Sequence, residues 1–329
     1  MDKTDNGVYY ENKFFVCNVK TEKSIRSYFR SLLDRLTYPV TNLIYQILVY
    51  VIPQKEIKKK YNIAICSIFK NEGVFLREWI IYHRMLGVNH FYLYNNNSTD
   101  NYQEILNPFV EEGLVTLKNW PQIPAQIPAY QDWYENYREE CQWVSFLDLD
   151  EFICPIYDYS ITQWLDKRKR YPTIKMDWVM FGTSGNMVHN DKILCVEQYT
   201  SCWNKRCCIG KLFYNCNFDI KFFYVGMMHL LTTSWHGLSL PTFNDSGNIC
   251  LDSQYEKISK KGFSIQCNHY YSRAYDKITE KVNRGSGAFK VNWKSTEKYD
   301  TMEMNNIKKD YTIWRFLVKL KKEYLEKSI

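Results

Sequence analysis

The sequence lacks the features of several special classes of protein. Its 329 residues include 13 glycines and 9 prolines, with no low-complexity tract and no fixed-period repeat. This composition excludes collagen-like, solenoid and largely disordered chains. No early apolar run approaches the roughly 20 residues of a membrane-spanning helix, because the most apolar one covers only residues 43–53. With 45% hydrophobic residues, the chain is expected to form one large core or two fused smaller cores.

The cysteines lack the spacing of a disulfide framework or a zinc site. There are 11 of them, with no CxxC pair, and Cys207 is followed directly by Cys208. An odd number without paired spacing favours free thiols, most of them buried apolar side chains. The first residues also show no secretory signal pattern. We therefore expect a reducing compartment and a cytoplasmic protein, with attachment to the cytoplasmic face of a membrane as an open alternative.

Positive charge moderately exceeds negative charge. Lys and Arg number 43 against 36 Asp and Glu, which gives a net charge of +7. This surplus is typical of proteins with a phosphate-bearing substrate or an anionic membrane partner, although a mildly basic solvated surface explains it equally well. Near the start, Arg26, Arg30 and Arg35 stand among aromatic and leucine residues, as in a helix that lies on a membrane. Packing on the protein's own body is the simpler interpretation. No compact basic and aromatic alternation indicates nucleic-acid binding.

The order of elements predicts an α/β fold. Residues 61–69, 90–94, 114–117 and 143–148 have the character of strands, and helical patterns over 73–86, 101–110 and 130–140 separate them. This rhythm predicts a Rossmann-like, doubly wound and mostly parallel sheet. Beyond residue 153 the strands become shorter and the turns more frequent. Residues 1–60 form an N-terminal arm, for which a helix is one interpretation, and residues 291–329 a helical tail.

Polar residues follow three of the predicted strands. Asn71 and Glu72 follow the first strand, Asn95 begins a polar turn that extends to Asp100 after the second, and Asp148 ends the fourth. In open α/β sheets, ligands bind outside the carboxyl ends of the strands. These groups are therefore expected to line one cleft.

The strongest local signal is the sequence FLDLDEF at residues 146–152. Asp148, Asp150 and Glu151 place three carboxylates within four residues, and mutual repulsion makes such a group costly unless a cation neutralises it. If the strand continues through this segment, Asp148 and Asp150 point to the same face. Mg²⁺ or Mn²⁺ would suit these oxygen ligands and complete its shell with substrate phosphates. The alternative is an acidic turn that caps a helix.

Two further segments carry groups suited to a nucleotide. The turn from Asn95 to Asp100 offers donors and acceptors to a base or a ribose, although such turns also commonly cap helices. His269, within Asn268-His269-Tyr270, could complete a metal shell. The cations that follow it could hold a diphosphate; they are Arg273, Lys281 and Arg284. A core histidine beside a basic helix face is the alternative interpretation.

Taken in order, these motifs resemble glycosyltransferase family 92 and its bacterial relatives. The resemblance covers about residues 61–290. It rests on FKNEG at 69–73, EW at 78–79, YH at 82–83, Gly87, FYLYNNNSTD at 91–100, Trp143 and DLDEF at 148–152, WVMFGTSG at 178–185, NHYYSR at 268–273, EK at 280–281 and RG at 284–285. One departure is Arg273, which stands where the family pattern has lysine.

The resemblance implies a GT-A type fold and a nucleotide-sugar donor. Residues 61–152 would form the donor-binding half and residues 153–290 an α+β acceptor-binding half. Asp150 would be the main ligand of Mn²⁺ or Mg²⁺, Asp148 would meet the donor or the metal, and His269 would be an additional ligand. By analogy, Asn71, Glu72, Asn95 and Asp100 would line the nucleotide pocket. Characterised relatives make UDP-galactose the first donor expected, used with inversion and with a glycan or glycoconjugate hydroxyl as acceptor.

An inverting transfer needs a carboxylate that accepts the acceptor's proton. Asp177 and Glu197 lie in the expected acceptor half and are the candidates, although each could equally be an ordinary carboxylate outside the site. Two other classes of protein remain open at this stage. One is a metal-dependent nucleotidyltransferase or phosphohydrolase, and the other is a non-catalytic module that binds glycan or nucleotide. The oligomeric state is not encoded in any of these patterns.

Overall fold

A computed structural model describes residues 8–10, 15–19, 25–53, 58–224, 226–251, 256–283 and 303–326. Its strands are β1 (Val8–Tyr10), β2 (Phe15–Val19), β3 (Tyr61–Phe69), β4 (His90–Asn95), β5 (Val115–Asn119), β6 (Cys141–Phe146), β7 (Glu151–Pro155), β8 (Thr173–Met180), β9 (Ser201–Cys202), β10 (Cys207–Asn215), β11 (Asp219–Ile220), β12 (Thr233–Trp235), β13 (Leu238–Leu240), β14 (Phe243–Asn244), β15 (Glu256–Lys257), β16 (Ile265–His269) and β17 (Lys308–Lys309).

The α-helices are α1 (Ile25–Val51), α2 (Gly73–Met85), α3 (Tyr102–Glu111), α4 (Gln126–Tyr137), α5 (Ile161–Asp166), α6 (Cys195–Gln198), α7 (Tyr275–Asn283) and α8 (Leu317–Glu326), and short 3₁₀ helices cover Arg138–Glu140, Met304–Asn306 and Thr312–Phe316. None of the described helices combines the length and apolar character needed to cross a membrane.

The central sheet has the strand order β5-β4-β3-β6-β10-β8-β16-β7, with β14 beside β8. The first four strands of this order are parallel to one another. In the chain they run outward from β3 to β5 and then return to the other side of β3 as β6. This reversal makes the gap between β3 and β6 the topological switch point, where α/β sheets bind their ligands. The expected α/β class and Rossmann-like first half are confirmed.

Strand β3 shows why the first half is doubly wound. Its alternate residues belong to two different hydrophobic cores, because neighbouring side chains of a strand point to opposite faces. Ile63 and Ile65 pack in the core that contains Trp79 of α2. Ala64 and Cys66 pack in the core that contains Trp133 of α4 and several aromatic neighbours. A strand buried on both faces by helices reads as a continuous apolar run, as the sequence does here.

The second half mixes strand directions, as expected for an α+β region. Strand β10 is antiparallel to β6 and β8, whereas β16 is parallel to β8 and antiparallel to β7. Only residues 147–150 connect β6 to β7, although three strands lie between them in the sheet. Four residues are too few to cross three strands of a flat sheet. The sheet must therefore curl and bring β7 back towards β6.

The two ends of the chain pack on this sheet structure. Helix α1 lies within the N-terminal arm, and its Tyr38 contacts Phe243 and Ile249 in a small separate core. In the described part of the tail, α8 packs against α2, where the Arg77 guanidinium donates to the Tyr324 carbonyl at 2.9 Å. The division of the chain at residues 60, 152 and 290 remains a prediction.

Candidate active site

The acidic motif occupies a turn at the switch point. Strand β6 ends at Phe146, and the Leu147 N–H donates to the Cys66 carbonyl of β3 at 3.1 Å. The turn closes where the Glu151 N–H donates to the Asp148 carbonyl at 3.1 Å. The predicted strand through residue 148 is therefore wrong, and with it the expectation that alternation places Asp148 and Asp150 on one face. The chain must turn here because β7 begins at the far edge of the sheet.

The turn directs the Asp148 side chain towards a buried lysine. Its Oδ2 lies 2.9 Å from the Nζ of Lys211, a residue of β10 whose side chain is fully buried. The side chain of Asp148 is 37% exposed. Lys211 also lies 3.2 Å from Oε2 of Glu151, so one buried ammonium bridges two of the three carboxylates.

Asp150, Glu151 and His269 form a buried group that can hold a metal ion. One ligand atom from each lies within 4.8 Å of the others. Glu151 and His269 are brought together by register, because they are directly opposite in the antiparallel pair of β7 and β16. His269 Nε2 is 3.5 Å from Asp150 Oδ1, and His269 Nδ1 is 3.9 Å from Glu151 Oε1.

The donor atoms in this group fit a divalent cation. Glu151 Oε1 and His269 Nδ1 are buried without a hydrogen-bond partner. An unpartnered polar atom in a protein interior is costly, and an ion would supply the missing partner. Two carboxylates and one imidazole match the ligands of Mn²⁺ or Mg²⁺ sites.

The charges of the group point the same way. Although burial raises the pKa of the Asp150 carboxyl, the charges of Lys281, His269 and Arg273 lower it well below its usual value. Burial, opposed by Lys211 but reinforced by Asp148 and Asp150, raises the pKa of Glu151 to about 8. The site therefore stabilises a negative charge on Asp150 and disfavours a second one on Glu151. A bound cation would reverse the second effect.

The predicted nucleotide residues meet at the ends of β3 and β4. Asn71, with a φ of 51°, accepts from the Thr99 N–H at 2.7 Å. Asp100 Oδ2 accepts from the Gly73 N–H at 2.7 Å, at the start of α2. A Cβ on Gly73 would lie 3.0 Å from that oxygen, so a larger residue there would have to displace the Asp100 carboxylate slightly. The second oxygen of Asp100 is buried without a hydrogen-bond partner. Its unused acceptor capacity would suit an N–H or O–H of a ligand.

Two other predicted nucleotide residues have structural contacts. Asn95 donates to the Tyr102 hydroxyl at 2.9 Å and to Asn119 Oδ1 at 3.2 Å, and it accepts from the Ser98 N–H at 2.9 Å. These bonds use both its oxygen and its amide nitrogen to shape the turn. Glu72 is buried immediately before α2. Direct nucleotide contacts by both residues remain predictions.

The three predicted cations differ in position. Lys281 of α7 pairs with Asp150 Oδ2 and lies 3.8 Å from the centre of the Tyr271 ring. Arg273 is buried, its Nη2 donates to the Leu149 carbonyl at 2.8 Å, and its guanidinium lies 3.3 Å from the centre of the Phe75 ring. Arg273 thus holds the backbone of the acidic turn through the Leu149 carbonyl. Arg284 lies outside the described residues.

The two candidate bases do not join the metal group. Asp177 is buried in β8 and lies 3.0 Å from Lys175. The next residue, Trp178, packs its ring 4.6 Å from that of His269, so alternation directs Asp177 to the opposite face of the sheet. Glu197 pairs with Lys321 of α8 at 2.6 Å. The structure therefore gives neither residue geometric support as the base, and both assignments remain predictions.

Several residues of the site were missed from the sequence. Glu151 had a signal, since it is the third carboxylate of the motif. Lys211 had a weak one, a lone lysine within an apolar strand. His229 had none, because it lies in a loop remote in sequence. Its Nδ1 donates to the Gly210 carbonyl at 2.6 Å, and its ring lies 4.9 Å from that of Trp178.

Helix α2 fixes the strand that follows the acidic turn. The Trp79 indole donates to the Glu151 carbonyl at 2.8 Å, and the Tyr82 hydroxyl donates to the Ile153 carbonyl at 2.9 Å. His83 Nε2 accepts from the Ile153 N–H at 3.2 Å. One helix face thus holds the backbone of β7 at its first and third residues. Trp79 belongs to the EW pair of the sequence motif, and Tyr82 and His83 form its YH pair.

The fold and the site together define a Rossmann-like protein with a carboxylate–histidine group and a nucleotide-type turn at its switch point. The family model for glycosyltransferase family 92 matches residues 59–315. Since this is well over half of the sequence, the chain belongs to glycosyltransferase family 92.

Individual relatives match over shorter segments. A family 92 protein of Oryza sativa subsp. japonica is 38% identical over 97 residues, which are 29% of this chain and 17% of that protein. One from Arabidopsis thaliana is 39% identical over 104 residues, 31% of this chain and 18% of that protein. A galactan β-1,4-galactosyltransferase of Arabidopsis thaliana is 32% identical over 109 residues, 29% of this chain and 21% of that protein. Each match thus spans about a fifth of the relative's length.

Two solved structures are similar to part of this chain. Residues 1–349 of TarS from S. aureus superpose with a TM-score of 0.31 at 12% identity, over 47% of each chain. A mannosyltransferase from Pyrobaculum calidifontis, in complex with GDP-Man and Mn²⁺, gives a TM-score of 0.29 at 10% identity over 46% of this chain and 47% of that chain.

Proposed function

We propose that this protein is a metal-dependent glycosyltransferase that moves a sugar from a nucleotide diphosphate to a hydroxyl of a glycan or glycoconjugate. The observation that carries the proposal is the buried group of Asp150, Glu151 and His269 at the switch point of the sheet. Family membership supports the reaction class, and the unpartnered ligand atoms support the metal.

The residues of the site can divide the work of such a transfer. Asp150, Glu151 and His269 would hold Mn²⁺ or Mg²⁺, which when bound would neutralise charge on the departing diphosphate. Lys281, already beside Asp150, can pair with a phosphate oxygen. Asp100 offers its unused oxygen to the base or ribose. Lys211 bridges Asp148 and Glu151, and its positive charge offsets part of the repulsion between these two carboxylates.

UDP-galactose is the proposed donor, with inversion at the anomeric carbon. The resemblance to family 92 motifs supports both points, and the likeness to a galactan galactosyltransferase over 29% of the chain supports galactose. Inversion requires a base that accepts the acceptor's proton. Asp177 and Glu197 remain the proposed candidates for this base. Because Asp177 faces away from the metal group, its role as the base requires the acceptor-side residues to rearrange when substrate binds.

Calorimetric titration with UDP tests the proposal most directly. The protein is titrated with UDP in Mn²⁺ and again in EDTA, with GDP and CDP as matched nucleotide controls. We expect UDP to bind only in the presence of the metal, because the ion would neutralise the negative charge of the diphosphate beside the carboxylates. GDP-selective binding would keep the enzyme class and reject the UDP donor. No binding of any nucleotide in either condition would contradict the proposal and favour a non-catalytic module.

Product analysis separates the remaining enzyme classes. A glycosyltransferase breaks the bond between the sugar and the diphosphate, and therefore releases intact UDP with a transferred or free sugar. In a nucleotidyltransferase or phosphohydrolase, the acceptor or water attacks phosphorus, and cleavage of the UDP-sugar would instead give sugar 1-phosphate together with a transferred uridylyl group or free UMP. Detection of UMP as the first product would overturn the proposed reaction.

A further inference from the structure

Helix α1 has one face fixed to the body of the protein. Tyr38, Val49 and Ile52 are at most 3% exposed. The Tyr38 hydroxyl donates to the Ile249 carbonyl at 2.8 Å, and Asn42 Oδ1 accepts from the Ile249 N–H at 2.9 Å. Backbone and side-chain bonds of this kind set the rotation of the helix about its axis. The opposite face therefore points away from the body.

That opposite face is apolar along the whole described helix. Its members, which we call the outward face, are all large apolar residues between 44% and 71% exposed: Phe29, Leu32, Leu33, Leu36, Val40, Leu43, Ile44, Ile47, Tyr50 and Val51. Monomeric soluble proteins rarely expose so large a continuous apolar patch, and those that do generally use it for binding. An amphipathic helix needs one apolar face, but α1 has two.

The charged residues in the sequence of this helix are mainly basic. Between residues 25 and 51 the sequence contains Arg26, Arg30 and Arg35 but a single acid, Asp34. Asp34 stands four residues and Arg35 three residues before Tyr38, so both lie nearer the side of the helix that faces the body. At the other end of the face, the exposed Arg170 donates to the Tyr50 carbonyl at 3.0 Å and lies 5.2 Å from the centre of its ring.

We propose that the outward face docks this protein on an anionic lipid bilayer, with α1 lying in the plane of the membrane surface. Apolar side chains of an in-plane helix enter the boundary between headgroups and acyl chains, while cations beside it attract anionic lipids. The inward face remains buried against the protein, which keeps the helix parallel to the surface. The aromatic Phe29 and Tyr50 near its two ends suit the interface. This proposal does not depend on the proposed reaction.

A second copy of the chain is the main competing occupant. Seven members of the outward face follow the alternating four- and three-residue spacing of a coiled-coil seam, from Phe29 to Tyr50. However, Leu32, Ile44 and Val51 widen the apolar sector beyond a narrow seam. The positions that flank the seam carry no paired charges to specify a partner helix, and Pro39 occupies one of them. A broad apolar sector on a helix whose sequence is mainly basic favours a bilayer.

Vesicle co-sedimentation of the full chain tests the proposal. Vesicles of phosphatidylcholine mixed with phosphatidylglycerol are compared with vesicles of phosphatidylcholine alone. The test variant combines Leu36→Gln and Val40→Gln, which are 71% and 64% exposed. The matched control combines Val318→Gln and Leu325→Gln on α8, which are 83% and 67% exposed. Circular dichroism confirms that each protein is folded, and light scattering gives its oligomeric state.

We expect wild type and the α8 control to sediment with the mixed vesicles, and more weakly with phosphatidylcholine alone. The α1 variant should bind the mixed vesicles at least roughly tenfold more weakly, because each aliphatic side chain that is replaced no longer buries its apolar surface in the bilayer. Failure of wild type to bind mixed vesicles would overturn the proposal, as would equal loss in both variants. A wild-type dimer that the α1 variant converts to monomer would assign the face to a second copy instead.

Discussion

At the scale of single residues, the end of β6 decides which acidic side chains can share an ion. A strand that continued to Asp150 would place Asp148 and Asp150 on one face. Because β6 ends at Phe146, the turn sends Asp148 towards Lys211 and leaves Glu151 opposite His269. The group that can hold a metal ion is therefore Asp150, Glu151 and His269, while the partly exposed Asp148 pairs with Lys211.

This difference can be measured with isosteric substitutions. Asp150→Asn and Glu151→Gln should each weaken Mn²⁺ binding at least roughly tenfold, since each removes a charged ligand. Asp148→Asn should change the Mn²⁺ affinity by less than about threefold, because its carboxylate is occupied by Lys211. Calorimetry with Mn²⁺ alone measures all three variants, and circular dichroism checks their folding. An equal loss in Asp148→Asn would return Asp148 to the ligand shell.

At the scale of elements, helix α2 connects the core of the first half to the metal group. Its buried face carries Trp79, Tyr82 and His83, which bond to the backbone of β7. On the same helix, Glu78 accepts the Cys195 N–H at 2.6 Å and the Val196 N–H at 3.1 Å. The helix thus positions both the acidic strand and the start of α6. These residues act through others and are positioning residues.

Tyr82→Phe tests this positioning role, with Tyr214→Phe as its control. Both tyrosines are fully buried and donate their hydroxyl to a backbone carbonyl, that of Ile153 or of Phe218. Each substitution should cost about 1 kcal/mol of stability in denaturant unfolding. Only Tyr82→Phe should also weaken metal-dependent UDP binding, by a few-fold, because only Tyr82 holds β7. Equal UDP affinities in the two variants would limit Tyr82 to a stabilising role.

The sequence predicted the parts of the fold that depend on local patterns. The apolar run of β3 was placed at residues 61–69, and the helix before Gly87 was recognised from its spacing. The end of β6 was missed, since hydrophobic alternation continues through Leu147 and Leu149 and only the position of β7 requires a turn. Lys211 and His229 were missed for a related reason. The contacts of Lys211 depend on β10 lying beside β6, and those of His229 depend on β10 lying beside β8; no local pattern encodes either pairing.

At the scale of the whole molecule, the metal group joins segments from distant parts of the sequence. Asp150 and Glu151 follow the parallel first half, while His269 ends β16 and Lys281 follows on α7. The sheet that connects them is continuous from β5 to β7. Bringing two carboxylates and an imidazole together without an ion leaves polar atoms unpaired. Ion binding should therefore stabilise the whole folded chain.

Thermal unfolding with and without Mn²⁺ tests this coupling. A ligand present at about a hundredfold excess over its Kd stabilises the folded state by about 2.7 kcal/mol. We therefore expect Mn²⁺ to raise the Tm by several degrees while the two halves still unfold in one transition, and EDTA to reverse the rise. Asp150→Asn should show no rise at the same Mn²⁺ concentration. If Mn²⁺ raised the Tm of that variant equally, the stabilising ion would bind elsewhere. If it produced two separate transitions, the ion would stabilise one half alone, which would contradict a site built from both.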